Sequence, residues 1–558
     1  MARKISFKGY NQGQILLFPE RLDSYIQEGS PVRLVNEIVD QLDITSVIGS
    51  YEGGGTSSYS PRMMLKVLFY GYLNNIYSCR NIEKAMAENI HFMWLSGKQF
   101  PKYNTINNFR SLHLKDAING LFTQVVLLLC DMGHVTLNES YIDGTKMESR
   151  ANKYTFVWKK SVEKNKLKLE EKIRNILRQI EEGIASDNAP DDGPPTPIDS
   201  KELRERIARI NRENKSTAQQ KQIGEIENEH MPKLEEYEKK LAQCGQRNSY
   251  SKTDTDATFM RMKEDAMGNG QLKPAYNLQI ATENQFLTNF CFYPNPTDTL
   301  TLVPFLELHE ERYGKMPGAN CADAGYGSEE NYAFMEKNSI EAFVKYSYFH
   351  KEQKPSFKNN AFLPDNFYYN GEGDYFVCPM GQHMVLVGKG SRTSESGYKS
   401  RTHIYQAQNC NCCPLRGQCH KAEGNRQIQV NHKLRAYKRK ARELLTSEVG
   451  LYHRSRRPIE PEAVFGQIKQ DKGYKRFRHF GKDKVTMDFA ILAIAFNIGK
   501  LRNKRQKGPK LAQNKPQIQP GLILSYIWVK ANIKNNKVSS KTIQKSWIIE
   551  WQNASLAA

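Results

Sequence analysis

Three acidic residues stand in sequence contexts that favour metal-assisted chemistry on phosphate esters. Asp143 lies in Tyr141-Ile-Asp-Gly-Thr-Lys, Asp323 lies in Ala-Asp-Ala-Gly-Tyr, and Glu462 begins Glu-Ala-Val-Phe-Gly-Gln-Ile-Lys. A carboxylate held at the end of an apolar strand is costly unless it is paired or bound to a metal. Three converging carboxylates would form an oxygen-ligand site suited to Mg²⁺, and two such ions can promote phosphodiester cleavage.

Other acids compete for the second position of this set. Asp254 and Asp256 occur in Thr-Asp-Thr-Asp-Ala, and Asp256 falls just before a predicted strand. Asp298, in Asn-Pro-Thr-Asp-Thr, is predicted to cap the helix that follows it. We prefer Asp323, because it ends the fourth strand of the fold predicted below.

Half of the ten cysteines are clustered between residues 378 and 419. Four of them could form a tetrahedral thiolate site for zinc: Cys378, Cys410, Cys413 and Cys419. Cys412 or His420 could replace one of these ligands. The zinc would be structural, since no open coordination position or general base is evident. The alternative is a group of reduced cysteines packed in a small β-rich segment.

The chain is strongly basic, with 81 Lys and Arg against 60 Asp and Glu and a formal charge of +21. Residues 431–510 carry most of the excess, with 22 basic and 7 acidic side chains. Such a block indicates a polyanionic partner, nucleic acid before others. The predicted DNA contacts in this block are Lys469, Lys472, Lys475, Arg476 and Arg478. Lys469 follows Glu462 by two helical turns, so both should share one helix face.

Short helices are predicted in the N-terminal region. Ser60 and Pro61 suit the N-cap and first position of one helix, Ser78 opens a second, and a third begins near Thr105. Tight connections between them predict a helix-turn-helix-like unit, with a plain helical bundle as the alternative. Its third helix would expose side chains suited to bases and phosphates, namely Asn107, Asn108 and Arg110.

The remaining pattern gives the element order of an RNase H-like fold. Strands are predicted at 140–144, 276–282, 289–293, 320–325 and 341–346, and helices at 299–313, 328–338, 460–472 and 488–501. Two segments interrupt this order. Residues 158–245 show apolar residues at helical spacing amid Lys and Glu, which predicts a projecting helical hairpin. Residues 348–430 are predicted to be irregular.

The predicted fold class is therefore α/β, an RNase H-like catalytic core with a helical N-terminal domain and two insertions. The predicted domains are a helical DNA-binding domain at 1–130, a core at 135–347 with 431–503, a helical-hairpin insertion at 158–245, a Cys-rich insertion at 348–430, and a linker and tail at 504–558.

Composition excludes a largely disordered chain and a membrane protein. Of the 558 residues, 39% are hydrophobic and 25% are charged. The longest apolar run, Phe489–Phe496, is eight residues, well short of the roughly 18–20 that a membrane span needs. The N-terminus lacks the apolar stretch of a signal peptide. We therefore expect a cytoplasmic protein with reduced cysteines and no membrane partner.

The three acidic segments resemble the catalytic blocks of bacterial insertion-sequence transposases, the cut-and-paste DDE enzymes with an RNase H-like core. The Glu-x2-Phe-x3-Lys spacing, the following Arg476-Phe-Arg-His-Phe-Gly and a terminal Asn497-Ile-Gly-Lys-Leu helix carry the resemblance, which extends over about residues 30–500. Some relatives have a Tyr-x2-Arg-x3-Glu-x6-Lys signature. Glu462 and Lys469 fit it, whereas its Arg and Tyr positions are occupied by Pro458 and Ser455, with Arg457 and Tyr452 nearby.

The resemblance implies a catalytic triad of Asp143, Asp323 and Glu462 that binds two Mg²⁺ or Mn²⁺ ions. It also implies that the enzyme binds the element's terminal inverted repeats, frees a 3′-hydroxyl by hydrolysis and joins it to target DNA. Handling two ends implies at least a homodimer on double-stranded DNA. Two alternatives are an inactive or domesticated repressor-like DNA-binding protein, and a metal-dependent nuclease that does not join strands.

Overall fold

The computed structural model describes residues 21–52, 57–182, 198–211, 217–262 and 270–507. The chain divides into two compact units, Met1–Arg502 and Asn503–Ala558, and the sites discussed below lie in the first. The predicted linker and tail at 504–558 lie outside the described residues from 508 onward.

Helices build the N-terminal region, as predicted. They are α1 (Pro31–Gln41), α2 (Thr45–Ile48), α3 (Pro61–Leu73), α4 (Cys79–Glu88), α5 (Ile90–Ser96), α6 (Tyr103–Asn108), which continues as a π-helical turn at Phe109–His113, and α7 (Ile118–Asp131). Ser60 and Ser78 occupy the N-cap positions of α3 and α4. Helix α5 was not predicted; it begins because the side chain of Asn89 accepts a hydrogen bond from the backbone N–H of His91 at 2.9 Å.

A mixed six-stranded sheet follows. Its strands are β1 (Glu139–Glu148), β4 (Thr258–Arg261), β5 (Leu272–Glu283), β6 (Phe286–Tyr293), β7 (Ala319–Ala322) and β8 (Glu341–Val344). The order is β4-β5-β1-β7-β8, with β6 also paired to β5. Strand β1 is antiparallel to β5 and parallel to β7, which is parallel to β8. The five predicted strands are therefore present, and the fold is mixed α/β.

Helices cover this sheet: α12 (Leu302–Tyr313), α13 (Glu329–Lys337), α16 (His432–Thr446), α17 (Glu448–Arg456) and α19 (Lys482–Lys507). In α19 the run 489–496 is buried on every side, as expected of a helix at the centre of a large protein. It packs on β6 through Phe489, which lies 5.1 Å from the ring of Phe290. Asn497 adds hydrogen bonds to the backbone N–H and C=O of Leu287, both at 2.8 Å.

The helical run between α17 and α19 is not uniform. Two π-helical turns, Pro458–Glu462 and Gln467–Asp471, flank α18 (Ala463–Gly466). Pro461 lies inside the first of these turns, and proline removes a helix-interior N–H donor. The helix predicted at 460–472 is thus present in a locally widened form, which is common at functional sites.

The predicted helical hairpin is also helical in the structure. It contains α8 (Lys159–Glu182), α9 (Ser200–Ile210), α10 (Thr217–Glu225) and, after a π-helical turn at Ile226–His230, α11 (Met231–Cys244). Their apolar stripes, which include Ile173, Leu203 and Leu234, form a core of their own. A two-stranded ribbon of β2 (Phe156–Trp158) and β3 (Ser249–Ser251) joins the ends of this segment.

The prediction that 348–430 is irregular is wrong. This region holds an antiparallel sheet in the order β13-β12-β11-β10-β9. Its elements are α14 (Pro355–Lys358), β9 (Tyr368–Asn370), β10 (Tyr375–Val377), β11 (His383–Thr393), β12 (Lys399–Ala407), α15 (Arg416–Cys419) and β13 (Gln427–Val430). The strands were missed because β11 and β12 are mostly polar and half-exposed, so they lack the apolar alternation that marks a strand.

In the described ranges, no single helix is both long and apolar enough to cross a membrane. One bent pair, Tyr103–His113 with Ile118–Asp131, meets that test by length and composition alone, with an angle of 84° between its helices.

Candidate active site

The three acids singled out in the sequence meet around one arginine. Nη2 of Arg457 lies 3.3 Å from Oδ1 of Asp143 and 3.7 Å from Oδ2 of Asp323. Nη1 of the same guanidinium donates to Oε1 of Glu462 at 2.7 Å. Residues separated by more than 300 positions in the sequence are thereby brought to one point.

Strand pairing explains how the two aspartates meet. Strands β1 and β7 are parallel neighbours in which Tyr141 pairs with Cys321, so Asp143 and Asp323 extend from adjacent strands in the same direction. Oδ1 of Asp323 accepts the backbone N–H of Gly325 at 2.8 Å. Asp143 is buried, whereas the Asp323 side chain is 43% exposed. Of the two aspartates, Asp143 is therefore the inner carboxylate and Asp323 the outer one.

Arg457 follows α17 and is itself buried. Its guanidinium supplies one positive charge to three carboxylates, and its Nε–H has no acceptor among the described residues. In the sequence, Arg457 is one residue before the arginine position of the Tyr-x2-Arg-x3-Glu-x6-Lys signature. Its central place could not be read from the sequence, because it depends on the π-helical turn between Arg457 and Glu462.

Lys469 lies beside the acids. Its Nζ donates to Oγ1 of Thr145 at 2.9 Å. Thr145 is two residues after Asp143 on β1, and alternate residues of a strand face the same side. Lys469 thus reaches the sheet face that carries Asp143, and Glu462 approaches the same region from the start of α18.

A fourth carboxylate, Asp298, adjoins the same strand. It was predicted to cap the next helix, and this is wrong: α12 begins only at Leu302, and Thr301 is its N-cap. Oδ1 of Asp298 instead accepts the amide N–H groups of Asn277 and Gln279, both at 2.8 Å. Polar residues at alternate positions of the otherwise buried β5 were the available sequence signal for this contact.

The hydrogen-bonded side chains of Asp298, Asn277 and Gln279, called the Asp298 network below, lie against the backbone of Gly144, the residue after Asp143. A Cβ atom added to Gly144 would lie 2.3 Å from Nε2 of Gln279 and 2.6 Å from Oδ1 of Asp298. Only glycine therefore allows these side chains to approach β1 so closely. The network therefore lies against the strand that carries Asp143.

Tyr326 closes the base of the site. Its hydroxyl donates to Oε1 of Gln279. Burial, and then the negative charges of Asp298, Asp143 and Asp323, raise the pKa of Tyr326 well above its ordinary value. Tyr326 is therefore a hydrogen-bond donor that fixes Gln279, and it is not a source of protons near neutral pH.

The competing acids Asp254 and Asp256 have other roles. Asp254 is buried and accepts from Oγ of Ser149 at 2.6 Å and from the hydroxyl of Tyr276 at 2.8 Å. Oδ2 of Asp256 accepts the backbone N–H of Lys482, the first residue of α19, at 2.8 Å. Asp254 also accepts the backbone N–H of Gly481 at 3.1 Å, so both acids hold the start of α19 against the sheet.

The predicted DNA contacts of the N-terminal region divide into two groups. Asn107 and Asn108 are exposed on α6. The expectation that Arg110 is exposed is wrong, because its guanidinium is buried, donates to the hydroxyl of Tyr72 at 3.2 Å and lies 3.7 Å from Asp488. Arg110 joins the N-terminal helices to α19 and is a structural residue.

The basic residues after α18 also differ from one another. Lys475 is exposed, whereas Nζ of Lys472 donates to the backbone carbonyl of Leu73 at 2.7 Å. Burial lowers the pKa of Lys472. Arg476 donates to the carbonyl of Ser149 at 2.9 Å, and the guanidinium of Arg478 lies 4.0 Å from the ring centre of Tyr77. Lys472 and Arg478 thus hold this segment against α3 and the residues that follow it.

The cysteines of the predicted zinc site line one narrow cavity beside β12 and α15; they are Cys378, Cys410, Cys413 and Cys419. Sγ of Cys419 accepts from Nη1 of Arg426 at 2.7 Å, and Sγ of Cys410 accepts from the backbone N–H of Arg426 at 3.4 Å. His420 lines the same cavity and Cys412 does not. All ten cysteines lie in the described ranges and are free.

Neither cluster forms a finished metal site. Taking the described residues together, no three or more His, Cys, Asp or Glu side chains are arranged closely enough to hold a metal ion. At the acidic site, the carboxylate oxygens are the donors that Mg²⁺ prefers, but they are spaced around the guanidinium of Arg457. At the cysteine cavity, thiol donors suited to zinc are present.

Two segments match known protein families. Residues 377–502 match a family model described as a transposase DDE domain, and residues 20–112 match one described as a transposase domain. The first match includes Glu462 and Lys469 and does not extend to Asp143 or Asp323. A search of curated proteins found no match. A DDE domain implies an RNase H-like core, and the two matched segments support a similarity of this chain to the DDE transposases of insertion sequences.

Proposed function

We propose that this chain binds the ends of an insertion sequence and cuts and joins DNA with Asp143, Asp323 and Glu462 as its catalytic triad. The observation that carries the proposal is the convergence of all three carboxylates on Arg457, at 2.7 to 3.7 Å. Three acids from two strands and a helix rarely meet by chance, because carboxylates held close together repel one another unless a cation lies between them.

The proposed cofactor is Mg²⁺ or Mn²⁺, as two ions held by the same three acids. The donor set fits, since three oxygen ligands already share one positive charge. Two bound ions would supply the charge that assists both the attacking and the leaving oxygen. Arg457 must release at least one carboxylate before these oxygens can hold a divalent cation.

The chain's own residues would then orient the DNA. Lys469 would contact a phosphate beside the triad as a point charge, a role supported by its hydrogen bond to Thr145 on the strand that carries Asp143. Arg457, once released, could pair with a second phosphate through two N–H groups. Asn107, Asn108, Lys475 and the exposed edge of Arg476 remain the proposed contacts to DNA farther from the reaction.

The proposed domain organisation follows the same division. Residues 135–347 with 431–503 would form the RNase H-like core, and 1–130 the helical DNA-binding domain. The segments 158–245 and 348–430 would be insertions, since each has its own apolar core. Double-stranded DNA, as terminal inverted repeats and target, is the proposed partner of a homodimer in the cytoplasm.

The cysteine cavity is proposed to hold a structural zinc ion through Cys378, Cys410, Cys413 and Cys419. Arg426 donates to two of these sulfur atoms, from its guanidinium to Cys419 and from its backbone N–H to Cys410, and four cysteine sulfurs are a common ligand set of structural zinc. The metal content of the purified chain, compared with that of a Cys410→Ser variant, tests this assignment. One zinc per wild-type chain and a loss in the variant would support it, and a metal-free wild type would contradict it.

A strand-transfer assay separates transposition from the two alternatives. The substrate is a pre-cut element end with a free 3′-hydroxyl, incubated with a target plasmid and Mg²⁺. We expect the wild type to join the end to the plasmid, and Glu462→Gln to bind the end without joining it. Glu448→Gln, an exposed acid at the start of α17, should behave as wild type.

The other outcomes identify the alternatives. Cleavage of uncut ends without joining would indicate a metal-dependent nuclease. Specific binding with neither cleavage nor joining would indicate a repressor-like protein.

A further inference from the structure

A basic groove lies next to the triad and takes no part in the site described above. It runs between α16 and the segment 346–369 and has a volume of about 790 Å³. Its lining is mixed in polarity and includes the side chains of Lys358, Arg435, Lys438 and Arg439. A groove of this size is large enough for a segment of an extended polymer.

One wall of the groove is a row of cations on a single helix face. Arg435, Lys438, Arg439 and Arg442 all line it, and their spacing of three, four and seven residues places them on one side of α16. Lys358 faces them from the opposite wall. Such a row matches the regular spacing of charge along a nucleic-acid backbone.

Acidic residues neutralise only part of this charge. Glu352 binds Arg442 through two hydrogen bonds, at 2.8 and 3.1 Å, and Asp365 is the other acid of the lining. Across the described part of the chain, Arg439 and Lys358 pair with no carboxylate. These two cations therefore remain available to an anion that enters the groove.

Aromatic side chains complete the walls. Tyr348 is 56% exposed at the groove, and Tyr346, Phe357 and Tyr369 also line it. Lys438 lies 5.7 Å from the ring centre of Tyr346. Tyr346 is buried in the core, so the rings open to a ligand are those of Tyr348 and the half-buried Phe357 and Tyr369. Exposed rings beside cations suit nucleic acids, since bases and sugars pack on the rings while phosphates contact the charges.

One end of the groove is formed by residues that follow β8, close to the strand end that carries Asp323. Tyr346 and Tyr348 follow directly after β8, which is the parallel neighbour of the strand that leads into Asp323. Lys345 lies between the two places, since it precedes Tyr346 and its backbone N–H donates to the carbonyl of Ala322, the residue before Asp323, at 3.3 Å. A DNA strand that leaves the triad past Lys345 would enter this groove.

We propose that this groove binds the phosphodiester backbone of DNA next to the scissile bond. The proposal rests on the DNA-cutting function proposed above and adds a second contact surface to it. The bound DNA is either the flank outside the element or the target duplex, and the backbone chemistry is the same for both.

Salt dependence of binding tests the groove. Log affinity falls as log salt concentration rises, and each lost phosphate contact makes this negative slope shallower by about 0.9. In the full-length protein, Lys438→Gln with Arg439→Gln should therefore make the slope shallower by about 2, and Lys358→Gln alone should make it shallower by about 1. The matched control is Lys433→Gln with Lys440→Gln on another face of α16, which should leave the slope unchanged.

Three metal-free duplexes identify the source of the DNA: an element end alone, the end with its outer flank, and an unrelated target. A change confined to the flanked end assigns the groove to the flank, and a change with the unrelated duplex assigns it to target DNA. If the groove variants and the control variant show the same salt-dependence slope on all three duplexes, the proposal is overturned. Since binding needs no cleavage, this result is distinct from a failure of the catalytic function.

Discussion

Replacing Gly144 with alanine is expected to slow DNA cleavage about 100-fold, the cost of misplacing a catalytic group by about 1 Å. The new Cβ atom would lie 2.3 Å from Gln279 and 2.6 Å from Asp298. The amide of Gln279 donates to both Asn277 and Asp298, so the clash is relieved either by breaking these hydrogen bonds or by moving β1. Asp143 would shift with the strand. The rate of end cleavage in Mg²⁺ measures this effect.

Gly466→Ala is the matched control, since it lies on α18 close to Glu462. A Cβ atom there meets nothing within 4 Å, and alanine favours a helix over glycine by about 1 kcal/mol. The control should cleave at the wild-type rate, and both variants should bind DNA normally without metal. Wild-type cleavage by Gly144→Ala would show that the Asp298 network does not position Asp143.

Replacing Asp488 with alanine is expected to lower the free energy of unfolding by about 3–5 kcal/mol, the usual cost of removing one partner of a buried ion pair. Asp488 is buried in α19. It accepts from the hydroxyl of Tyr474 at 2.5 Å and from that of Tyr72, and it lies 3.7 Å from Arg110. The substitution leaves the Arg110 charge buried without its partner. Urea unfolding followed by circular dichroism measures the loss.

Asp483→Ala is the control on the same helix, because Asp483 is an exposed acid whose partner Lys115 lies 3.3 Å away. Surface pairs of this kind contribute at most about 1 kcal/mol. Equal destabilisation by the two variants would contradict the structural role of Asp488.

Acid provides a second test of the Asp488 cluster. Burial alone would raise the pKa of Asp488, but its hydrogen bond to His479 and the positive charges of His479 and Arg110 lower it from 3.8 to about 2. A carboxylate with a lowered pKa stabilises the fold above its unfolded pKa, and this contribution is lost as the pH falls from 3.8 to about 2. The stability difference between wild type and Asp488→Ala should therefore narrow below pH 3.8.

Most strands of the sheet and the three acidic residues could be predicted from the sequence, because both depend on local patterns. The strands around Asp143 and Asp323 are short apolar runs followed by a polar residue. Glu462 and Lys469 lie in one helical segment with a specific spacing. Such signals are complete within a dozen residues, so distant contacts are not needed to detect them.

Other features depend on which distant residues meet. Asp298 had the appearance of a helix cap because its neighbours in the sequence suit a cap, while its true partners Asn277 and Gln279 are set by strand pairing. Arg110 was expected on the surface because α6 is polar, but it is buried against Asp488 from the far end of the chain. A buried charge cannot be recognised until its partner is known.

The central claim is that Asp143, Asp323 and Glu462 cut DNA. Its most direct test is cleavage of linear DNA that carries the element's own ends, in Mg²⁺, by wild type, Asp323→Asn and the exposed control Asp471→Asn. We expect wild type and Asp471→Asn to nick at the element end. Asp323→Asn should bind equally well and lose more than about 100-fold in rate, since even the supporting partners of metal ligands cost 10–100-fold. Cleavage by Asp323→Asn at the wild-type rate would contradict the account.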